Sequence, residues 1–401
     1  MRFPWLVLLF LLLPFAVLAQ GGEISGVVTN ADSKKPIAGA SVFLSNSQAG
    51  TATAESGKYR LSGLRPGQYT LVIASLGFED FKKTVNVEDG PIKLDVQLTP
   101  KPLMLREVVI SSAADWKKNY EMFRKEFVGR DDNSKLCEVT NPHILNLTYN
   151  QTKQILHAEA DEFLVIDNHA LGYRIKFLVR DFNIDNINRI VSSAGDRVFE
   201  DLPGTPAQKK KWHDAREAVY YGSQMHFFRS VIAETTAKEG FQVYNLKRDP
   251  YPGRLSESAI MMGYNIGRAA QNRDSVKKYY DMENLPRWTN QKLTPDYGSL
   301  MPTMSEQEYA SRAGTNGLFA LHITDYMYIV YTKKTEETDF KDIYRPLKMP
   351  NYQLSVLTPE NGDPIFDMNG VVVGNGQLTE GTWSKSRLSV ELPVDYVPDN
   401  K

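Results

Sequence analysis

Arg216, Tyr220, Ser223, His226 and Arg229 fall within one short stretch, REAVYYGSQMHFFR, and bring together side chains able to hold a charged or hydroxylated ligand. Arginine presents a planar pair of donors to a carboxylate or phosphate, and tyrosine adds a ring face. If the five converge in a cleft, they suit an anion or a carbohydrate. If they are buried, the same groups make a hydrogen-bonded network that anchors a helix to a sheet, because buried polar groups require partners.

Other chemistries find less support. A metallocarboxypeptidase zinc site needs Glu three residues after His. The six histidines, His143, His157, His169, His213, His226 and His322, are followed at that distance by Asn146, Ala160, Gly172, Arg216, Arg229 and Asp325. His157-Ala158-Glu159 has the wrong spacing. No metal, cofactor or catalytic residue is therefore expected. No G-x-S-x-G elbow is present, and Ser275 with Lys278 has S-x-x-K spacing without companion motifs. Asp367, Asn369 and Gly370 echo part of a calcium loop, but Ile365 stands where an oxygen ligand is required, so Asp363–Gly370 is expected to be a hairpin. Cys137, the one cysteine, excludes an intramolecular disulfide and has no His and Asn partners in a recognisable pattern.

The elements that must carry these residues follow from periodicity. Thr205-Pro206 is a cap and first-turn pair, and the segment through Phe241 has apolar residues at helical intervals. Trp212, Arg216, Tyr220, Ser223 and Phe227 share a stripe if the helix continues through Gly222; otherwise Gly222-Ser223 ends one helix and caps the next. The expectation is a helix pair or a kinked helix. Trp116, Tyr120, Phe123 and Phe127 define one aromatic face of another helix, with Asp115 near its start and Gly129 beyond its end.

Around these helices the pattern is β. HILNLTYN, DEFLVIDN and LGYRIKFLVRDFNID read as strands. In the last, Tyr173, Ile175, Phe177 and Val179 take one face, while Arg174, Lys176 and Arg180 form a basic strip on the other. Asn361-Gly362, Asn369-Gly370 and Asn375-Gly376 are hairpin-turn dipeptides, and RLSVELP alternates as a strand toward the terminus.

The amino terminus reads as a secretory signal peptide, residues 1–19: Arg2, an apolar run broken by Pro4 and Pro14, and Val17-Leu18-Ala19 before Gln20. No later segment suits a transmembrane helix. The formal charge of −1 becomes about −2 once Arg2 is removed, which gives no attraction to nucleic acid. A content of 42% hydrophobic and 11% aromatic residues permits ordinary cores, so an exported chain needs no covalent staples.

From Glu23 to Pro100, short strands alternate with Gly and Pro turns, Pro66-Gly67 among them, which predicts a small antiparallel sandwich. GVVTNADSKKPIAGASVFL and TATAESGKYRLSGLRPGQYTLVIASLGF, with Gly26, Pro36, Gly39, Ala40, Gly57, Gly67, Tyr69 and Gly77, resemble the carboxypeptidase regulatory-like domain of exported Bacteroidota proteins. Ala54-Glu55 departs from that pattern, where an Asp usually follows the Thr. The resemblance implies a transthyretin-like, non-catalytic β-sandwich over residues 20–102. Residues 103–112 would then be a linker. In it Glu107, Val108, Val109 and Ile110 resemble a TonB box, an extended peptide that adds to a partner's sheet edge. Too few residues follow to build a receptor barrel, so a connecting strand is the simpler expectation.

Residues 113–401 are expected to form a β-rich α+β domain with a central helical insertion. LGYRIKFLVRDF, REAVYYGSQMHFFRSVIAE and GTWSKSRLSVELPVDY resemble segments of Bacteroidota envelope proteins that pair such a domain with the regulatory-like one, a resemblance that implies no activity. Asp274-Ser275-Val276 resembles the O-glycosylation signal of that group. The expected function is non-catalytic: binding a glycan or an envelope protein, or scaffolding, in the periplasm or at the outer membrane. The alternatives are a hydrolase acting on an envelope polymer or peptide, and a TonB-linked accessory component of uptake.

Overall fold

The computed structural model describes residues 21–88, 90–101, 113–249, 253, 255–270, 284, 286–287, 297–314, 317–337, 342–374 and 376–399. The signal peptide, Glu107, Val108, Val109 and Ile110, Asp274, Ser275, Val276 and Lys278, and Asn375 lie outside them. The protein is mainly β with few helices, as composition and periodicity predict. It divides into two compact units, with boundaries between Phe43 and Leu44, Gln48 and Ala49, and Pro102 and Leu103. Among the described residues no helix is long and apolar enough to cross a membrane.

The first unit is a sandwich of two sheets. One orders Lys58–Leu64, Gly22–Asn30 and Pro91–Lys93, with Val96–Leu98 also on Gly22–Asn30; the other orders Gly50–Ala52, Ser41–Leu44, Gly67–Ala74 and Phe81–Val87. Alternation along Gly22–Asn30 buries Ile24 and Val28 completely. Two features depart from the expected antiparallel arrangement. IKLDVQLTP is split into two short strands, and both run parallel to Gly22–Asn30. The break has a physical cause: Asp95 turns its carboxylate onto the Val27 amide at 2.9 Å, and the Tyr59 hydroxyl donates to the Leu94 carbonyl at 2.7 Å. Side chains thus satisfy backbone groups that a continuous strand would have paired.

Among the described residues the second unit contains three sheets. The six-stranded one orders Asn146–Asn150, Ile155–Glu159, Tyr173–Asp185, Leu164–Asn168 and Cys137–Val139, with Ile190–Asp201 also on Tyr173–Asp185. Helix α1, Ala113–Phe127, lays its aromatic face on this sheet. Phe123 meets Phe182 edge-on at 5.0 Å and Phe127 meets Phe177 at 5.0 Å, so this face is core. The basic strip of Tyr173–Asp185 is neutralised by its neighbours. Arg174 makes two 2.7 Å bonds to its cross-strand partner Asp167, Lys176 pairs with Glu200 at 2.5 Å, and Arg180 donates to the Ala160 carbonyl.

A five-stranded sheet, ordered Tyr297–Thr303, Phe241–Asp249, Tyr326–Thr335, Tyr352–Pro359 and Gln377–Gly381, and a small one, ordered Ala310–Arg312, Leu318–Leu321, Ile365–Asp367 and Val372–Gly374, complete the unit. The small sheet contains the Asn369-Gly370 hairpin. There the buried Asp367 carboxylate accepts from the Asn369 and Val371 amides, which closes the hairpin. RLSVELP is not a strand. Leu388–Val390 forms a 3-10 turn because Leu388 and Leu392 both enter the core, while Asn168 bonds the Ser389 carbonyl and Asp131 the Ser389 hydroxyl. Cys137 is buried, and burial pushes its thiol up to about 12, which leaves it inert as a nucleophile.

Candidate functional site

Two helices carry the five candidate residues. Helix α2, Pro206–Tyr220, begins with a capping box: the Thr205 side chain accepts from the Gln208 amide, Gln208 reaches back, and Pro206 occupies the first turn. Helix α3, Gln224–Ile232, begins at Ser223, whose hydroxyl accepts from the His226 amide at 3.1 Å. Gly222 separates them. Its φ of 86° lies in the left-handed region, and a Cβ there would come within 2.6 Å of the Tyr331 ring. The sequence therefore makes a helix pair, and Ser223 is its cap. The junction is tied down on both sides, since Trp383 Nε1 donates to the Gly222 carbonyl at 2.8 Å and Lys334 Nζ donates to the Ala218 and Tyr221 carbonyls.

Tyr220, His226 and Arg229 meet in the interior. His226 is 4% exposed and packs among Tyr220, Tyr221, Phe241 and Tyr331. Its Nδ1 accepts from the Gly222 amide at 3.1 Å, so Nε2 carries the proton and faces Glu239 at 3.4 Å. Burial, opposed by Glu239, depresses its ionisation to about 4, and the ring is neutral near neutral pH. Arg229 lies over the Tyr220 ring. Nε donates to the Asn369 carbonyl at 3.0 Å, and its two terminal nitrogens donate to the Tyr396 and Val394 carbonyls at 2.8 Å each. These groups form the buried network that the sequence allowed as an alternative to a cleft.

Arg216 is separated from that network and borders an opening. A cavity of about 150 Å³ is lined by Asp201, Leu202, Lys209, Trp212 and Arg216. Trp212 forms a fixed wall. Its Nε1 donates to the His169 carbonyl at 2.8 Å, and Gly172, at φ 71°, lies so close that a Cβ would fall 2.1 Å from the indole. Arg216 stacks on the fully buried Tyr173 ring at 3.6 Å. It donates from Nε to the Leu171 carbonyl and from Nη2 to the Gly172 carbonyl and Asp201, while Nη1 has no hydrogen-bond partner among the described residues. The guanidinium is thus held rigidly with two donors to spare. Lys209 and Trp212 share a face of α2 with Arg216, whereas Asp201 joins the site only through the fold. The helical stripe in the sequence contained Trp212, but nothing local pointed to Asp201.

Two further groups bring chemically capable residues together. Ser311 Oγ lies 2.8 Å from His322 Nε2, and His322 Nδ1 lies 2.6 Å from Asp363 Oδ2. A carboxylate accepts, so Nδ1 carries the proton and Nε2 accepts from the serine, the hydrogen-bond order of a serine hydrolase. No elbow motif announces it: Ser311 is the middle of the strand Ala310–Arg312, His322 follows the strand Leu318–Leu321, and Asp363 lies in the loop before Ile365–Asp367. His213, Glu217 and Asp399 place one nitrogen and two carboxylates within 4.8 Å of one another.

A comparison with curated proteins finds no match. Three solved structures illustrate the similarity found among known folds. The minor pilin GBS52 of Streptococcus agalactiae is 21% identical over 22% of this chain and 48% of its own, with a TM-score of 0.19. The shaft pilin SpaA of Lactobacillus rhamnosus GG is 16% identical over 21% and 47%, with a TM-score of 0.18. A type II cohesin-X-dockerin complex of Acetivibrio cellulolyticus is 19% identical over 20% and 53%, with a TM-score of 0.17. The chain spans about half the length of these structures. Residues 24–110 match the family model of the CarboxypepD_reg-like domain, which covers the β-sandwich of the first unit.

Proposed function

We propose that the protein is an exported, non-catalytic binding component of the cell envelope, and that the cavity beside Arg216 receives a carboxylate-bearing group of its ligand. The observation that carries this reading is the stacked, carbonyl-anchored Arg216 with its Nη1 donors unused. Lys209 adds a second cation and Trp212 a flat apolar wall. At roughly 30 Å³ per water, the cavity equals about five waters. That volume suits the acidic end of an extended ligand, such as a uronic-acid residue or a peptide C-terminus.

The test is thermal stability against acidic oligosaccharides, their neutral counterparts, and peptides with free or amidated C-termini. A ligand specific to the native state raises the midpoint by mass action. A shift with acidic but not neutral forms, lost in Lys209→Ala, supports the proposal and identifies the source of the carboxylate. Equal shifts with neutral and acidic forms, or none with either, overturn it.

A second reading, hydrolysis, is favoured by the Ser311–His322–Asp363 chain. It ranks lower because the His322 and Asp363 side chains are 46% and 41% exposed, so water is not excluded from the would-be reacting centre. Covalent labelling by a fluorophosphonate, absent in Ser311→Ala, would raise it above the binding role; absence of labelling in the unaltered protein removes it.

A further inference from the structure

His213 and Glu217 are four residues apart on α2, so they project from one face of the helix a single turn apart. The C-terminal segment delivers Asp399 to the same face, with His213 Nε2 and Asp399 Oδ2 3.0 Å apart. That segment is not loosely placed, because the Val394 and Tyr396 carbonyls are both held by Arg229.

The donor atoms of the three side chains all lie within 4.8 Å of one another. Metal bonds of about 2.0–2.2 Å put tetrahedral ligands roughly 3.4 Å apart. The His213 and Asp399 atoms are therefore already at chelating separation, and the exposed Asp399 side chain can close the remainder by rotation. Glu217 differs from its partners in being nine-tenths buried. Glu217 places a second carboxylate at the same point as the His213–Asp399 pair. A histidine ligates through a neutral imidazole, so the charge of the two carboxylates is what a divalent cation would neutralise. The Tyr396 hydroxyl is buried with no hydrogen-bond partner among the described residues, and it stands in the field of Glu217 and Asp399. A water on a metal held there would give it one.

We propose that His213, Glu217 and Asp399 bind a divalent transition metal and thereby clip the C-terminal segment to α2. One imidazole nitrogen with two carboxylate oxygens suits Zn²⁺, Ni²⁺ or Cu²⁺. Ca²⁺ and Mg²⁺ favour larger, all-oxygen shells. Three protein ligands leave a coordination position for water. His213-x-x-x-Glu217 is one residue longer than the His-x-x-Glu spacing of a metallocarboxypeptidase, and Asp399 lies far from both in sequence. The inference is independent of the Arg216 cavity.

The experiment is calorimetric titration of the full chain with ZnCl₂, alongside Ca²⁺ as a control and Co²⁺ as a visible-absorption reporter of geometry. One saturating site for Zn²⁺ is expected, with a raised unfolding midpoint and no comparable Ca²⁺ site. His213→Ala and Asp399→Asn should each weaken it roughly tenfold or more, as loss of metal-site partners does. Asp399 is exposed and near the terminus, so Asp399→Asn tests the site without endangering the fold. Absence of a Zn²⁺ site, or affinity unchanged in both variants, overturns the proposal.

Discussion

Arg216 and Arg229 stand on consecutive helices, come from one sequence stretch and were candidates for one chemistry, yet they end in different circumstances. Arg229 spends its donors on three carbonyls, of Asn369, Val394 and Tyr396, and joins α3 to segments far along the chain. Arg216 is braced by two carbonyls, a carboxylate and a ring, and lines a cavity. Guanidinium chemistry is the same at both. What differs is the set of acceptors around each: the second arginine is consumed by architecture, and the first lines the cavity to which the proposed function assigns a ligand.

The largest expected effect lies on the architectural side. Arg229→Ala should cost about 3 kcal/mol or more in chemical denaturation, because it removes the donors of three carbonyls at once. Arg229→Lys should not restore the loss, since an ammonium cannot reproduce the planar fork. Full stability in the alanine variant would break the comparison.

The same network should make stability depend on pH through His226. In the unfolded chain the imidazole takes a proton near 6.5, whereas in the fold it resists until about 4. As pH falls through that window the unfolded state binds the proton first, so native stability declines, by up to about 3 kcal/mol, and is fully present above it. His226→Gln should flatten that portion of the stability profile.

Smaller effects sharpen the contrast. Ser223→Ala removes the cap of α3 and should cost about 1 kcal/mol. Its effect belongs to folding alone, so the midpoint shift produced by a ligand at the Arg216 cavity should be unchanged. Lys209→Ala lies at the other extreme, with a stability change within about 0.5 kcal/mol but loss of the ligand-induced shift. A destabilised Lys209→Ala that still responds to acidic ligands would place the cavity with the architecture.

Much of the local structure was legible because it depends on neighbours in sequence. Thr205-Pro206 starts α2, Gly222-Ser223 divides it from α3, and Trp116 to Phe127 marks a helical core face, since capping and periodicity act within a few residues. Alternation also misled. RLSVELP has a strand's pattern but forms a turn, because Asn168 and Asp131, remote in the chain, supply its partners. The basic strip of Tyr173–Asp185 was legible from alternation, but only the register set Asp167 opposite Arg174.

The sequence by itself determined where α2 starts, which faces are apolar, and that residues 20–102 resemble a carboxypeptidase regulatory-like β-sandwich, the domain whose family model matches residues 24–110. Only the tertiary structure decided which polar side chains share a site. Periodicity fixes the direction of a side chain, but hydrogen bonds and metal ligation depend on distances across elements. Asp201 reaches Arg216, Asp363 reaches His322, and Asp399 reaches His213 because separate elements fold against one another, and no local spacing records those encounters.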